Sequence, residues 1–212
     1  MTVFVIDINT SYSNITLPII KKLCDYNSVD LYVLNSNIEQ NTKNLPASWL
    51  KCFCHDLVND DFIICWDLDL IPIKMYDINK FFLKDRLNLA KDFLFRVKEG
   101  ILFNEKFKYN CGLIGIPKSY KNWMHEVYAS YDEGKNYPSW EQHYINDRIF
   151  DENILVNELP IELNYAKNIL SQDQDFSNAL NIHFTYSCTE EERATKREHI
   201  EKNIVDLQLG IA

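Results

Sequence analysis

Two aspartates, Asp67 and Asp69, stand two residues apart directly after the apolar run Phe62–Trp66. In an extended chain, side chains at positions i and i+2 project to the same side. Carboxylate oxygens are ligands that Mg²⁺ and Mn²⁺ prefer, and a bound cation relieves the repulsion between two crowded carboxylates. The spacing therefore predicts a divalent-metal site at the end of a buried strand. The alternative is a pair of aspartates that only solvate the strand end.

A second group of candidate residues lies in two later apolar segments. YNCGLIGIP contains Asn110 and Gly112, and NIHF contains His183. Histidine is a common metal ligand, so His183 can add a nitrogen to the two aspartates, but it can also be a hydrogen-bonded core residue. Asn110 and Gly112 can likewise mark a β-bulge, where a glycine still permits the close approach of a ligand.

The segment EQHYIN opens a predicted helix with two polar residues, Glu141 and Gln142. The helix dipole and the free N–H groups keep a carboxylate ionised at a helix start. Glu141 can therefore act as a general base or stabilise a developing positive charge, with Asp147 as the reserve candidate. Gln142 also has capping-box spacing with Ser139 and can serve its own helix terminus instead.

Strands and helices must hold these residues, and the first third of the chain alternates between them. Thr2–Asn9, Val29–Leu34 and Phe62–Trp66 are short apolar runs, while Leu17–Asp25 and the stretch after Pro46 place apolar residues at helical spacing. Strands that are apolar on both faces and alternate with helices predict an α/β fold with a largely parallel sheet. Ligands of such folds bind at the carboxyl ends of the strands.

The second half of the chain is less regular but still shows strand and helix patterns. We expect a strand, two helices, two late strands and a charged surface helix, in the order Tyr109–Ile116, Lys118–Ser130, Trp140–Phe150, Ile154–Leu159, Asn181–Thr185 and Glu190–Val205. No internal repeat is visible, which favours a single domain over residues 1–212. The chain can equally be one domain of a longer protein.

Composition excludes several classes of protein. The 212 residues are 46% hydrophobic and carry a net charge of −9, so the chain repels phosphate backbones and a nucleic-acid partner is not expected. No apolar run reaches the roughly 20 residues that span a bilayer. The chain opens on an apolar run without a basic segment or a cleavage site, so we expect a cytoplasmic protein, in the host cytoplasm if it is viral.

Six cysteines lie mostly in apolar runs and none has CxxC spacing, which favours reduced thiols packed as small hydrophobic groups. Cys52, Cys54 and His55 form a cluster in the sequence. Residues i and i+2 of a helix point to different faces, so we do not expect a metal site there.

Taken in order along the chain, these segments resemble GT-A-fold glycosyltransferases. An apolar strand that ends in D-x-D is similar to the metal motif of that family. The Asn110 and Gly112 strand and the EQHYIN helix start resemble the galactosyltransferase and glycogenin group. LPIELNY at Leu159–Tyr165 is similar to the stretch that follows, and NIHF is similar to the late strand whose histidine completes the metal site. The short chain also resembles the chlorella virus glycosyltransferases that decorate capsid protein.

The resemblance implies a GT-A fold, with a mixed, mostly parallel central sheet flanked by helices. The half up to about residue 105 would bind nucleotide and metal, and the half from about residue 106 would bind the acceptor. The implied activity is metal-dependent transfer of a hexose or deoxyhexose from a UDP-sugar to a glycan or glycoprotein acceptor. Mn²⁺ or Mg²⁺ would be held by Asp67, Asp69 and His183.

The resemblance also assigns the donor site. Uracil and ribose would lie against the turn after the first strand, and the sugar against the later motifs; this donor set is Asp7, Asn9, Thr10, Tyr12, Asp67, Asn110, Gly112 and Gln142. The family's phosphate-binding lysine follows a glycine that is missing here, which leaves Lys196 and Arg193 as candidates. Glu141 stands where the group usually has aspartate, so inversion and retention both stay open. The oligomeric state is also open.

Three other functions share part of this residue pattern. A sugar-1-phosphate nucleotidyltransferase normally has a glycine-rich loop after the first strand, and DINTSYSN contains no glycine. A D-x-D-x-T phosphatase needs threonine at the fifth position, which is Ile71 here, and carries the motif on its first strand. A non-catalytic module that binds nucleotide-sugars has the same motifs and stays open.

Overall fold

The computed structural model describes residues 1–92, 108–132, 140–166, 176–184, 196–198 and 200–202. The strands are β1 to β9 in chain order: Thr2–Ile6, Asp30–Leu34, Phe62–Trp66, Leu70–Pro72, Leu87–Lys91, Tyr109–Pro117, Val156–Leu159, Tyr165–Ala166 and Asn181–His183. The α-helices are α1 to α4: Ser13–Asn27, Cys54–Leu57, Lys121–Ser130 and Trp140–Asp151. Short 3₁₀ helices cover Ala47–Phe53, Ile78–Lys80, Lys118–Tyr120 and Ile161–Asn164.

Six strands form the central sheet in the order β2-β1-β3-β6-β5-β7. Only β6 runs antiparallel to its neighbours β3 and β5; the other pairs are parallel. The predicted mixed, mostly parallel sheet is therefore confirmed. A small second sheet, β4-β9-β8, lies beyond the end of β3 and brings the late strand to the two aspartates.

Strand β3 is apolar throughout because both of its faces are covered. Ile63 and Cys65 pack into a core with the 3₁₀ helix Ala47–Phe53, α3 and α4. Phe62, Ile64 and Trp66 pack on the opposite face, in a core that includes α1. Such two-sided burial is typical of a central strand, and it holds the chain end that carries Asp67 in a fixed position.

The predicted elements are mostly found, with shifted bounds. Strand β3 has the predicted ends, whereas β1 stops at Ile6 and α1 extends to Asn27. The helical pattern after Pro46 is largely a 3₁₀ helix. The sequence did not predict β4, β5 or β8, which are short or contain polar residues. The predicted helix Glu190–Val205 lies partly outside the described residues, and its described residues are helical.

Strand β6 contains the irregularity that the Asn110 and Gly112 pattern allows. Its pairing with β5 jumps between Leu89 and Ala90, so that residues 111–113 have no register partner there. Asn110 and Gly112 therefore lie at this bulge.

Among the described residues, no helix is both long and apolar enough to cross a bilayer.

Candidate active site

Asp67, Asp69 and His183 come together at the carboxyl end of β3. One ligand atom from each of the three lies within 4.8 Å of the others, and among the described residues this is the one cluster of metal-ligating groups. The backbone sets the turn: Asp67 N–H donates to Gly112 C=O over 2.8 Å, and Phe184 N–H donates to Asp69 C=O over 2.9 Å. The D-x-D turn is thus tied to both β6 and the end of β9.

The carboxylate of Asp69 is held from two sides. Its Oδ1 lies 3.3 Å from His183 Nε2, and its Oδ2 accepts a hydrogen bond from the Lys196 ammonium. Burial alone would raise the pKa of Asp69, but Lys196 and His183 lower it well below its usual range. The group is therefore an anion, and Oδ1 faces the imidazole.

A buried lysine supports the other aspartate. Lys51, which is 1% exposed, donates hydrogen bonds of 2.9 Å to Glu141 Oε1 and to Cys111 C=O, and its Nζ lies 3.5 Å from Asp67 Oδ1. Burial would lower the pKa of Lys51, but Asp67 and Glu141 raise it well above its ordinary value. Desolvation raises the pKa of Asp67, against the effect of Lys51, and the charge of Asp69 adds to the increase.

Gly112 has a steric role toward His183. A Cβ atom at this position would lie 2.2 Å from His183 Cε1 and 2.9 Å from His183 Nε2. The imidazole therefore packs directly on the backbone of β6. Only a residue without a side chain permits this contact, which places the histidine beside the two aspartates.

A hydrogen-bonded group of polar side chains continues from this point across β6. Asp92 Oδ2 accepts hydrogen bonds from Gln142 Nε2 over 3.1 Å and from Asn110 Nδ2 over 3.3 Å. Gln142 Oε1 accepts from Cys111 N–H over 3.1 Å. These contacts connect Gln142 with β6 and the end of β5; Ser139, its partner in the capping-box alternative, lies outside the described residues.

The formal charges of the site fit a divalent cation. Among the described residues that these contacts join, the carboxylates of Asp67, Asp69, Asp92 and Glu141 stand with the ammonium groups of Lys51 and Lys196. The acidic groups outnumber the ammonium groups, which favours a bound cation. Two carboxylates and one imidazole are also a donor set that a divalent cation can use.

The turn after β1 lies beside this cluster. Tyr12 is partly buried, and burial followed by the charges of Asp69 and Asp67 raises the pKa of its phenol. Lys196 Nζ lies 5.4 Å from the centre of the Tyr12 ring, and Arg197 Nη1 donates to Ser11 C=O over 2.8 Å. The segment with Lys196 therefore covers this turn.

The other residues of the predicted nucleotide turn are Asp7, Asn9 and Thr10. Asp7 is near enough to Tyr12 to raise its pKa. Asn9 is exposed and adopts φ 58°, a left-handed conformation that asparagine tolerates, and the Thr10 carbonyl accepts from Ser13 Oγ. Their assignment to uracil and ribose stays a prediction.

Some predicted residues are not brought to the cluster. Asp147 follows Glu141 by six residues on α4, about 9 Å along the helix axis and on another face. Arg193 and Cys188 lie outside the described residues. Cys52 and Cys54 are free, buried thiols, and His55 Nε2 contacts Ile116 C=O over 3.0 Å.

Lys51 and Asp92 were missed in the sequence. Lys51 sits among apolar residues in ASWLKCF, where nothing local distinguishes it from a surface lysine. Asp92 directly follows β5, as Asp67 follows β3, so recognition of LNLAK as a strand would have indicated it. The polar Asn88 and Lys91 obscured that strand.

Comparison with known proteins confirms the fold. No family model and no curated protein matches the chain. Among solved structures, a glycosyltransferase involved in the glycosylation of the major capsid of PBCV-1 matches with TM-score 0.69 and 15% identity over 95% of this chain and 100% of that one. The galactosyltransferase LgtC matches with TM-score 0.57 and 13% identity over 95% and 96%.

The glycosyltransferase GlyE of Streptococcus pneumoniae TIGR4 matches with TM-score 0.60 and 17% identity over 94% of this chain. The chain spans only 59% of the GlyE chain. At these identities the likeness establishes the fold: the chain has the GT-A architecture that these glycosyltransferases share.

Proposed function

We propose that this chain is a glycosyltransferase that moves a hexose or deoxyhexose from a UDP-sugar to a glycan or glycoprotein acceptor with the help of Mn²⁺ or Mg²⁺. One observation carries the proposal: Asp67, Asp69 and His183 converge at the carboxyl end of β3, facing polar side chains on β6 and α4, in a GT-A fold. The PBCV-1 neighbour is involved in glycosylation of the major capsid, so viral capsid glycan is one acceptor of this class.

The charged groups around Asp69 suit the leaving diphosphate. When bound, the divalent ion supplies positive charge that stabilises the departing diphosphate. Lys196 lies against Asp69 and over the Tyr12 ring, so its ammonium is near both the metal ligands and the predicted uracil position. In this proposal it neutralises phosphate charge, and Tyr12 stacks on the base.

The side chains beyond β6 suit the transferred sugar. Asn110, Asp92 and Gln142 form one hydrogen-bonded group, whose oriented acceptors and donors can bind sugar hydroxyls. Glu141 adds a carboxylate beside them, either as the base that accepts the acceptor's hydroxyl proton or as a negative charge that stabilises an oxocarbenium-like sugar. Lys51 occupies Glu141 Oε1, which favours the second role.

The proposal is tested by UDP-sugars and metal. We expect the correct UDP-sugar to raise the melting temperature only with Mn²⁺ or Mg²⁺, because a ligand stabilises the native state by mass action. Slow metal-dependent release of UDP without acceptor would show that the bound donor is activated. Asp67→Asn should abolish both effects, and the exposed Asp85→Asn should change neither.

The same assay separates the alternatives. Metal-dependent binding of UDP-sugars with no release of UDP and no transfer to any glycan would indicate a binding module. Formation of UDP-sugar from UTP and a sugar 1-phosphate would indicate a nucleotidyltransferase. Equal affinity for GDP and UDP would remove uridine specificity from the proposal.

A further inference from the structure

Asn164 joins the metal cluster to the polar residues on β6. It ends the 3₁₀ helix Ile161–Asn164 and is 1% exposed. Its Oδ1 lies 2.7 Å from His183 Nδ1, and its Nδ2 lies 3.0 Å from Asn110 Oδ1. The side chain therefore spans the gap between the two motifs with one end of its amide on each.

The backbone N–H of Gly112 sets the orientation of the two side-chain amides, those of Asn110 and Asn164. Gly112 N–H can only donate, and it lies 2.9 Å from the Asn110 side-chain oxygen. The other end of the Asn110 amide faces Asp92 Oδ2, which as a carboxylate can only accept. Asn110 therefore has its oxygen toward Gly112 and its nitrogen toward Asp92, and the reverse orientation would place like groups together at both ends.

The orientation of the Asn110 amide determines which end of Asn164 faces His183. Because Asn110 presents an oxygen, Asn164 must present its NH₂ group to it, and its own oxygen then faces His183. An imidazole nitrogen beside a carbonyl oxygen must carry a proton to form a hydrogen bond. Nδ1 therefore carries a proton, and Nε2, the nitrogen that lies beside Asp69, is the ring nitrogen left to bind a metal.

We infer that Asn164 is a positioning residue that fixes the proton of His183 on Nδ1 and thereby makes Nε2 the metal-binding atom. The inference rests on the proposed metal site and adds the residue that prepares it. The hydrogen bond at one ring nitrogen generally decides which nitrogen binds a metal. The imidazole ring of His183 also packs on the Gly112 backbone, which keeps the ring from moving toward β6.

The proton position can be read without metal or donor. Nitrogen-15 NMR of histidine-labelled protein at about pH 8 distinguishes ring nitrogens that carry a proton from those that do not, and His183→Gln identifies the signal among five histidines. We expect His183 to be protonated at Nδ1 in the unaltered protein. Asn164→Leu should shift the proton toward Nε2 or give a mixture of both forms.

A conservative variant separates positioning from packing. Asn164→Asp keeps an oxygen beside His183 Nδ1 and should retain the proton there, although it loses the NH₂ group that faces Asn110. Asn181→Leu is the matched control, because Asn181 lies on β9, as His183 does. Its buried amide contacts Leu163 C=O and the Tyr76 hydroxyl but not His183. It should lower stability and leave the His183 proton on Nδ1.

Metal binding gives the second measurement. Calorimetry with Mn²⁺ alone should show affinity about 10- to 100-fold lower for Asn164→Leu. Electron spin-echo spectroscopy of the Mn²⁺ complex should show a directly bound imidazole nitrogen in the unaltered protein and in Asn164→Asp, but a weakened signal in Asn164→Leu. An Nδ1 without a proton in the unaltered protein, or no change in Asn164→Leu, would overturn the inference.

These results are separate from those that test the proposed function. If no UDP-sugar binds while the His183 proton lies on Nδ1 and depends on Asn164, the proposed function fails and the positioning role stands. If UDP-sugars are turned over but Asn164→Leu leaves proton and Mn²⁺ affinity unchanged, only the positioning role fails.

Discussion

The ammonium group of Lys51 donates a hydrogen bond to Glu141 Oε1 over 2.9 Å, although the two residues are 90 positions apart. Both side chains are buried, and the same ammonium lies 3.5 Å from Asp67. A buried charge is tolerated only with a partner of opposite sign, so each residue compensates the charge of the other and orients its side chain. The pair thus connects the first turn of α4 to the D-x-D turn.

We expect Lys51→Met to damage both stability and activity. Methionine fits the space, but Glu141 is then left as a buried charge without its partner, which typically costs about 3–5 kcal/mol of unfolding free energy. Urea denaturation measures this loss, and the double variant Lys51→Met with Glu141→Gln should recover part of it. Full stability of the single variant would contradict the structural role of the pair.

Glu141→Gln tests the chemical role of the carboxylate. Glutamine can still accept the hydrogen bond from Lys51 but carries no charge, so we expect turnover to fall at least about 10²-fold with donor affinity nearly unchanged. Glu152→Gln, beyond the other end of α4, is the control and should retain normal turnover. NMR of the product's anomeric configuration then tells a base, which gives inversion, from a charge stabiliser, which gives retention.

A near-normal turnover of Glu141→Gln would transfer the role to Asp147 or remove a carboxylate base from the mechanism. The geometry already separates these two residues, since they lie on different faces of α4. Asp147→Asn is therefore the variant to measure next.

The two glycines of β6 form a matched pair of tests. Gly112→Ala places a methyl group 2.2 Å from His183 Cε1, so the ring must move and we expect Mn²⁺ affinity to fall at least about tenfold. Gly115→Ala instead meets Phe62 Cζ at 2.7 Å and Phe82 Cδ1 at 2.8 Å, away from the metal ligands. It should cost about 1–3 kcal/mol of stability through overpacking and leave Mn²⁺ affinity intact.

Calorimetric titration with Mn²⁺ shows whether only the Gly112→Ala variant loses metal affinity. An equal loss of affinity in both variants would mean that Gly112 affects the metal only through general destabilisation of β6.

A surface cluster predicts a pH-dependent contribution to stability. Asp56 accepts hydrogen bonds from Lys121 over 2.7 Å and from His125 over 2.6 Å, and these contacts lower its pKa although burial acts in the opposite direction. A pKa that is lower in the folded state stabilises the protein above the unfolded value, about 3.9, and this gain is lost as the pH falls through the folded value.

We therefore expect Asp56→Asn to be less stable than the unaltered protein at pH 7, with the difference shrinking below about pH 4. Urea denaturation at pH 7 and pH 3 measures the change. A constant difference across this range would show that the ionised carboxylate contributes nothing and that only the shape of the side chain matters.

Local patterns accounted for the elements whose cause is local. The five apolar residues of β3 reveal a strand covered on both faces, and the aspartates that follow it reveal a carboxylate pair at its end. β5 was missed because Asn88, buried and bonded to Leu83 N–H and C=O, interrupts the apolar pattern. A polar residue within a strand can form hydrogen bonds to the backbone of a nearby turn. In the sequence it then looks like a residue outside a strand.

The sequence by itself therefore determined the α/β class, the central strand and the residues of the D-x-D turn. Only the tertiary structure decided that Lys51 compensates Asp67 and Glu141, that Gly112 makes room for His183, and that Asn164 bonds that histidine. The physical reason is that these contacts join residues far apart in the chain, where sheet register and burial select the partner. Spacing along the sequence carries no information about that selection.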